Sequence, residues 1–140
     1  MPSSINDPTG VHMATDNKTV LVVDDASLVR LYYRSILEDA GFQVEEALNG
    51  LEALEKLLVK QPDMLIVDVN MPQMDGLTFL DRLRQKELPL SSVPALVTST
   101  ESKEADFNAA RAAGANFYVV KPISREGLVE IAGMLCGASS

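Results

Sequence analysis

The sequence predicts an α/β domain: five strand–helix units, (βα)5, forming a doubly wound parallel five-stranded sheet. Three observations predict it. Short apolar runs rich in β-branched residues recur five times along the chain. Stretches with helical apolar spacing separate them. The connections are short enough that right-handed crossovers are the only solution, which makes the strands parallel and puts helices on both faces.

Taken in order, Val20-Leu21-Val22-Val23 is a continuous apolar run, as expected of a strand covered on both faces. Ser27 is placed to cap a helix with Leu28, Leu31, Tyr32, Ser35 and Ile36 on one face, ended by Gly41. Phe42 to Ala47 reads as the second strand. Asn49-Gly50 opens a helix with Leu51, Leu54, Leu57 and Leu58 inward, closed by Gln61-Pro62. Met64 to Val67 is the third and most apolar strand. Asp75-Gly76 leads into a helix carrying Leu77, Leu80 and Leu83. Ala95 to Thr98 is the fourth strand, followed by a helix from about Lys103 to Ala113 that stops at Gly114. Phe117 to Val120 is the fifth strand, and Arg125 to Leu135 the last helix. Residues 1–17 are polar and aperiodic and read as a disordered N-terminal arm. The domain proper spans 18–137, and 138–140 form a short tail. For five such units the expected strand order is 2-1-3-4-5, the flavodoxin-like arrangement.

Composition narrows the partners. The chain has 140 residues, with 12 Lys+Arg against 20 Asp+Glu and a net charge of −8. That excess of acid gives no footprint for nucleic acid and none for an anionic membrane surface. No apolar run approaches the roughly 20 residues of a spanning helix. The single cysteine, Cys136, excludes an intramolecular disulfide and a cysteine-based zinc site. These bounds describe a soluble, cytoplasmic protein.

In a doubly wound sheet, chemistry sits beyond the carboxyl ends of the strands. Strand 1 ends in Asp24-Asp25 and strand 3 in Asp68. Strand 4 ends in Thr98-Ser99-Thr100, and strand 5 in Lys121-Pro122. In the order 2-1-3-4-5 these four strands are neighbours, so three carboxylates, a hydroxyl and an ammonium converge on one edge. Each residue has a plainer reading: Asp24-Asp25 as helix caps, Asp68 as a turn former, Lys-Pro as a simple strand end. Their coincidence on one edge is the signal. Three close carboxylates repel one another unless a cation sits among them, and an all-oxygen donor set selects a hard ion such as Mg²⁺. A carboxylate beside Mg²⁺ and a lysine is also a competent nucleophile toward phosphorus. Asp68, on the central strand, is the natural one.

The segments Val20-Leu21-Val22-Val23-Asp24-Asp25, Val67-Asp68-Val69-Asn70-Met71-Pro72-Gln73-Met74-Asp75-Gly76 and Tyr118-Val119-Val120-Lys121-Pro122 resemble the receiver domain of two-component response regulators, in a stand-alone, CheY-like form. The resemblance runs from about Lys18 to Cys136. It implies that Asp68 is the phosphoacceptor and that Asp24, Asp25, Asp68 and the backbone carbonyl of Asn70 hold Mg²⁺. It implies that Lys121 contacts the phosphoryl group, across a cis Lys121-Pro122 bond. Ser99 falls on the family's switch hydroxyl and Tyr118 on its switch aromatic. Asn70, Thr100 and Glu101 occupy positions that tune the lifetime of the aspartyl phosphate. Thr100 departs from the small residue usual there. The partners implied are a histidine kinase or histidine phosphotransfer protein, and a downstream target in chemotaxis or another phosphorelay. The target would be met on the face of helix 4, strand 5 and helix 5, where Tyr118, Ala105 to Ala110, Leu128, Ile131 and Met134 lie. The chain reads as a monomer, with dimerisation on phosphorylation left open. It would be a signalling phosphoacceptor and not an enzyme in its own right.

Three rivals share parts of this pattern. A haloacid-dehalogenase-type phosphatase needs a second Asp two residues after the nucleophile, where Asn70 stands. A flavin carrier on the same fold needs a phosphate-cradling loop after strand 1, where Asp24-Asp25 would repel the phosphate. A histidine phosphotransfer protein needs a helical histidine, and His12 lies in the polar arm.

Overall fold

The computed structural model describes residues 18–137. The predicted arm, His12 and the tail at 138–140 lie outside the described residues. Five strands form one parallel sheet: β1 (Thr19–Val23), β2 (Gln43–Ala47), β3 (Met64–Asp68), β4 (Ala95–Ser99) and β5 (Phe117–Val120). Their order is β2-β1-β3-β4-β5, as the crossover rules require. The helices are α1 (Ser27–Asp39), α2 (Gly50–Val59), α3 (Gly76–Arg84), α4 (Glu104–Ala113) and α5 (Arg125–Leu135), with a 3₁₀ turn at Leu90–Ser92. No helix among the described residues is long and apolar enough to cross a membrane.

Every residue of β1, β3 and β4 is buried, which is why those strands read as unbroken apolar runs. Alternation along them feeds two separate cores. Leu21, Leu65, Val67 and Val97 meet Phe79, Leu80 and Leu83 of α3 on one face. Val20, Val22, Ile66 and Leu96 meet Tyr33, Ile36 and Leu37 of α1 and Leu128 and Ala132 of α5 on the other. Cys136 belongs to this second core, and burial pushes its thiol up to about 12.

Two helices present faces other than those expected from their leucines. In α1, Leu28 is 78% exposed, and Leu31, Tyr32 and Ser35 also face outward; Arg30, Tyr33, Ile36 and Leu37 are the buried residues. In α2, Leu51 and Leu58 are exposed, while Gly50, Ala53 and Leu57 pack inward. The reason is steric in α2: a carbon added at Gly50 would stand 2.9 Å from Phe79 Cβ, so only the small face fits against α3. In α1 it is electrostatic. Arg30 reaches inward to donate to the Asp24 carbonyl at 2.6 Å and to Glu46 at 2.7 Å.

Helix ends follow local chemistry. Asn49 caps α2 through the Glu52 N–H, Asp75 caps α3 through Thr78 N–H, and Ser124 caps α5 through Gly127 N–H. Ser27 does not cap α1. It is the first helical residue, and the Ala26 N–H is taken by the Asp24 carboxylate at 2.9 Å. α4 ends at Gly114, whose φ of 105° is the left-handed turn glycine permits. β2 begins at Gln43, one residue later than expected, with Phe42 packed in the core, and β4 runs on to Ser99.

Candidate metal centre

The carboxyl ends of β1, β3 and β5 bring Asp24, Asp25, Asp68 and Lys121 together. Asp68 closes β3 in register with Thr98 of β4. Asp24 follows β1, and its N–H is held by the Ala47 carbonyl at 3.1 Å. Each aspartate offers a carboxylate oxygen within 4.8 Å of the others. Asp24 and Asp68 are buried, and Asp25 opens to solvent. Lys121 Nζ lies 2.8 Å from Asp68 Oδ1 and 3.2 Å from Asp24 Oδ2, so one ammonium serves two of the three carboxylates.

The charges are left unbalanced. Burial pushes the Asp68 carboxyl above its ordinary value, Lys121 opposes this, and Asp24 and Asp25 add to it. Burial pulls Lys121 down, but its bonds to Asp68 and Asp24 leave it above the ordinary lysine value. An all-oxygen cluster with acid to spare has the donor set of a hard divalent cation. Asp68 and its neighbours therefore fit a metal by their chemistry.

The loop after Asp68 is pinned at its base. Val69 N–H donates to the Thr98 carbonyl at 3.0 Å, and Gly76 N–H returns to the Val69 carbonyl at 2.9 Å. A carbon added to Gly76 would lie 2.2 Å from the Asp68 carbonyl oxygen, so the start of α3 can lie against the end of β3 only as glycine. The tip carries Asn70, Pro72 and Gln73, all exposed.

The remaining predicted site residues form a second group beside the first. Ser99 Oγ accepts from the Glu101 N–H at 3.1 Å, and the Tyr118 hydroxyl donates to the Glu101 carbonyl at 2.8 Å. Ser99 and Tyr118 thus meet on the backbone of one residue, Glu101. Tyr118 also packs edge-on against Phe107 with ring centres 4.6 Å apart. Thr100 and Glu101 are exposed. Lys121 N–H donates to the Ser99 carbonyl at 2.7 Å, and Lys121-Pro122 is cis. Of the expected output face, Leu128 and Ala110 point into the cores. The surface there is made by Phe107, Phe117, Tyr118, Arg111 and the exposed Met134.

Sequence reasoning missed two polar features of this region. Tyr33 and Thr98 are both buried on the face that leads to Asp68. The aromatic spacing of α1 gave a weak sign of the first, and β4's hydroxyl run of the second.

Residues 20–132 match the family described as the response regulator receiver domain. The chain belongs to that family. Among curated relatives, a protein-glutamate methylesterase/protein-glutamine glutaminase of Archaeoglobus fulgidus is 42% identical over 106 residues. That match takes in 74% of this chain but only 29% of the relative, so the chain spans under a third of that protein's length. Chemotaxis protein CheY4 of Vibrio cholerae superposes with a TM-score of 0.79 at 34% identity, covering 85% of this chain and 98% of that one. The receiver domain of a signal transduction histidine kinase from Syntrophus aciditrophicus gives 0.80 at 28% identity, covering 88% and 92%. The acidic cluster is therefore the acidic pocket of a receiver domain, the class that works with histidine kinases or phosphotransfer proteins.

Proposed function

We propose that this receiver accepts a phosphoryl group from a phosphohistidine onto Asp68 and thereby switches a protein-binding surface in chemotaxis or another phosphorelay. The observation that carries the reading is the meeting of three carboxylates within 4.8 Å, with Lys121 bridging Asp68 and Asp24. Asp24, Asp25, Asp68 and the backbone carbonyl of Asn70 would hold Mg²⁺, which when bound neutralises charge on the phosphoryl oxygens. An Asp68 oxygen attacks phosphorus, the P–N bond breaks, and the imidazole leaves with a proton from solvent. Lys121 then exchanges its contact with Asp68 for one with the phosphoryl oxygens. Asp68 needs no general base, because its carboxylate is already ionised when it attacks.

The readout is the Glu101 backbone. Ser99 can turn toward the phosphoryl group only by releasing the Glu101 N–H, and the same residue's carbonyl is the one that tethers Tyr118. Phosphorylation shifts a standing equilibrium between these arrangements. Thr100 and Glu101 border the entrance and, with Asn70, set the lifetime of the product. The role is that of a phosphoacceptor, not of an enzyme acting on other substrates.

The test is labelling by phosphoramidate or a phosphorylated histidine kinase with Mg²⁺. Wild type gains one base- and hydroxylamine-labile phosphoryl group, as an acyl phosphate requires, and Asp68→Asn gains none. Equal labelling of Asp68→Asn would remove Asp68 from the reaction.

A further inference from the structure

Two hydroxyls sit in the apolar layer directly beneath the acidic pocket. Thr98, with no exposed surface, is the register partner of Asp68, and its Oγ1 meets no hydrogen-bond geometry among the described residues. Thr98 and Asp68 continue the rows of Leu96 and Ile66, so both side chains stand on the α1/α5 face. Tyr33 enters that layer from α1 with 2% of its surface exposed, packed in the same core as Ile66 and Leu96. Lys121 borders the pair: its Nζ lies 2.8 Å from Asp68 Oδ1, and its N–H donates to the carbonyl of Ser99, the residue after Thr98, at 2.7 Å. The adjacent Tyr32 hydroxyl donates to the Ile123 carbonyl at 2.9 Å, which ties the same turn of α1 to the loop that follows Lys121.

A phenol and a threonine hydroxyl are costly in a layer otherwise built from Val, Ile and Leu. Phe and Val would fill the same volumes without that cost. Departures of this kind belong at functional sites. We infer that Tyr33 and Thr98 are positioning residues, a polar floor that sets where the Lys121 ammonium stands between Asp24 and Asp68 and so sets the rate of phosphoryl transfer. This rests on the reading of Asp68 as phosphoacceptor. Neither residue is itself a proposed metal donor, and the floor acts through Lys121. It therefore changes rate without changing metal affinity.

The experiment compares full-length wild type, Tyr33→Phe, Thr98→Val and the double variant, with phosphoramidate and saturating Mg²⁺. Each single variant is expected to take up phosphoryl three- to tenfold more slowly, with Mg²⁺ affinity within twofold of wild type and Tm unchanged or higher. The double variant should be no slower than the slower single, since both act through one lysine. Rates within twofold of wild type, or rate losses that track a fall in Tm, would overturn the inference. A second readout does not depend on phosphorylation: the ¹⁵Nζ ammonium resonance of Lys121 should move in Tyr33→Phe without any donor, and an unmoved resonance counts against the floor. If wild type fails to label while that resonance moves, the phosphoacceptor reading falls and the floor stands.

Discussion

The two edges of the sheet each hold a half-buried cation, and the cations are treated in opposite ways. At the carboxyl edge, Lys121 stands among carboxylates that repel one another and outnumber it. At the amino edge, Arg84 pairs with no carboxylate among the described residues. It donates to the carbonyls of Gly114 at 2.8 Å, Val93 at 2.7 Å and Ser91 at 3.0 Å, and to Asn116 Oδ1, which in turn accepts from the Ala95 N–H. Burial holds Arg84 below its ordinary value, whereas Asp68 and Asp24 hold Lys121 above its own. Arg84 satisfies carbonyls that the 3₁₀ turn and the α4–β5 loop would otherwise leave open. One edge is tied together by the hydrogen bonds of a single cation. The other carries unrelieved charge and is held in place by the rest of the fold, which is the condition for binding a cation and a phosphoryl group.

The largest expected effect breaks the carboxyl edge alone. Asp68→Asn should lose all phosphoryl uptake while melting at or above the wild-type Tm without metal, because it removes a repelling charge; a clear fall in Tm would mean that Asp68 supports the fold. Next, Arg84→Ala should lower stability by about 2–3 kcal/mol, the scale of hydrogen bonds from a charged donor, while the phosphorylation rate stays within twofold. Denaturant melts and labelling together check this, and Arg84→Lys should recover little, because an ammonium cannot span the fork of carbonyls.

A smaller effect comes from metal. Mg²⁺ at ten times its Kd should stabilise the protein by about 1.4 kcal/mol, raising Tm by a few degrees. The gain should be the same in Arg84→Ala and reduced in Asp25→Asn. An equal gain in all three would place the ion elsewhere. The smallest concerns pH. Asp68 has a raised folded value, so in metal-free protein its ionisation opposes folding. Below the ordinary carboxyl range wild type and Asp68→Asn should respond to pH alike. As pH rises through and above that range, wild type should lose stability relative to Asp68→Asn, and 5 mM Mg²⁺ should close the gap.

The functional edge was legible in the sequence because a topology rule carries each strand end to one place. Once five strands were counted, Asp24, Asp68 and Lys121 needed no distances to be grouped. Helix faces were less legible. In α1, Leu28 and Leu31 fit a helical stripe as well as Val29, Tyr33, Ile36 and Leu37 do, and the choice is made by Arg30 reaching Glu46 and the Asp24 carbonyl. In α2 the buried stripe is the small one, Gly50 and Ala53, which a search for leucines passes over. Arg84 left no sign in the sequence, and the Tyr33–Thr98 floor only a weak one. Each depends on groups far apart in the chain and on which way a buried side chain points.

The pinned loop between Asp68 and Gly76 has a consequence for how such a protein can diverge. Its base is fastened to β4 and to α3, while Asn70, Pro72 and Gln73 stand free at the tip. Side-chain changes at Asn70 or Pro72 therefore leave the nucleophile and the helix where they are, whereas Gln73, at a φ of 72°, is a strained place for most replacements. On the proposed function, a change at Asn70 retunes the lifetime of the phosphorylated state while the base of the loop keeps the nucleophile in place.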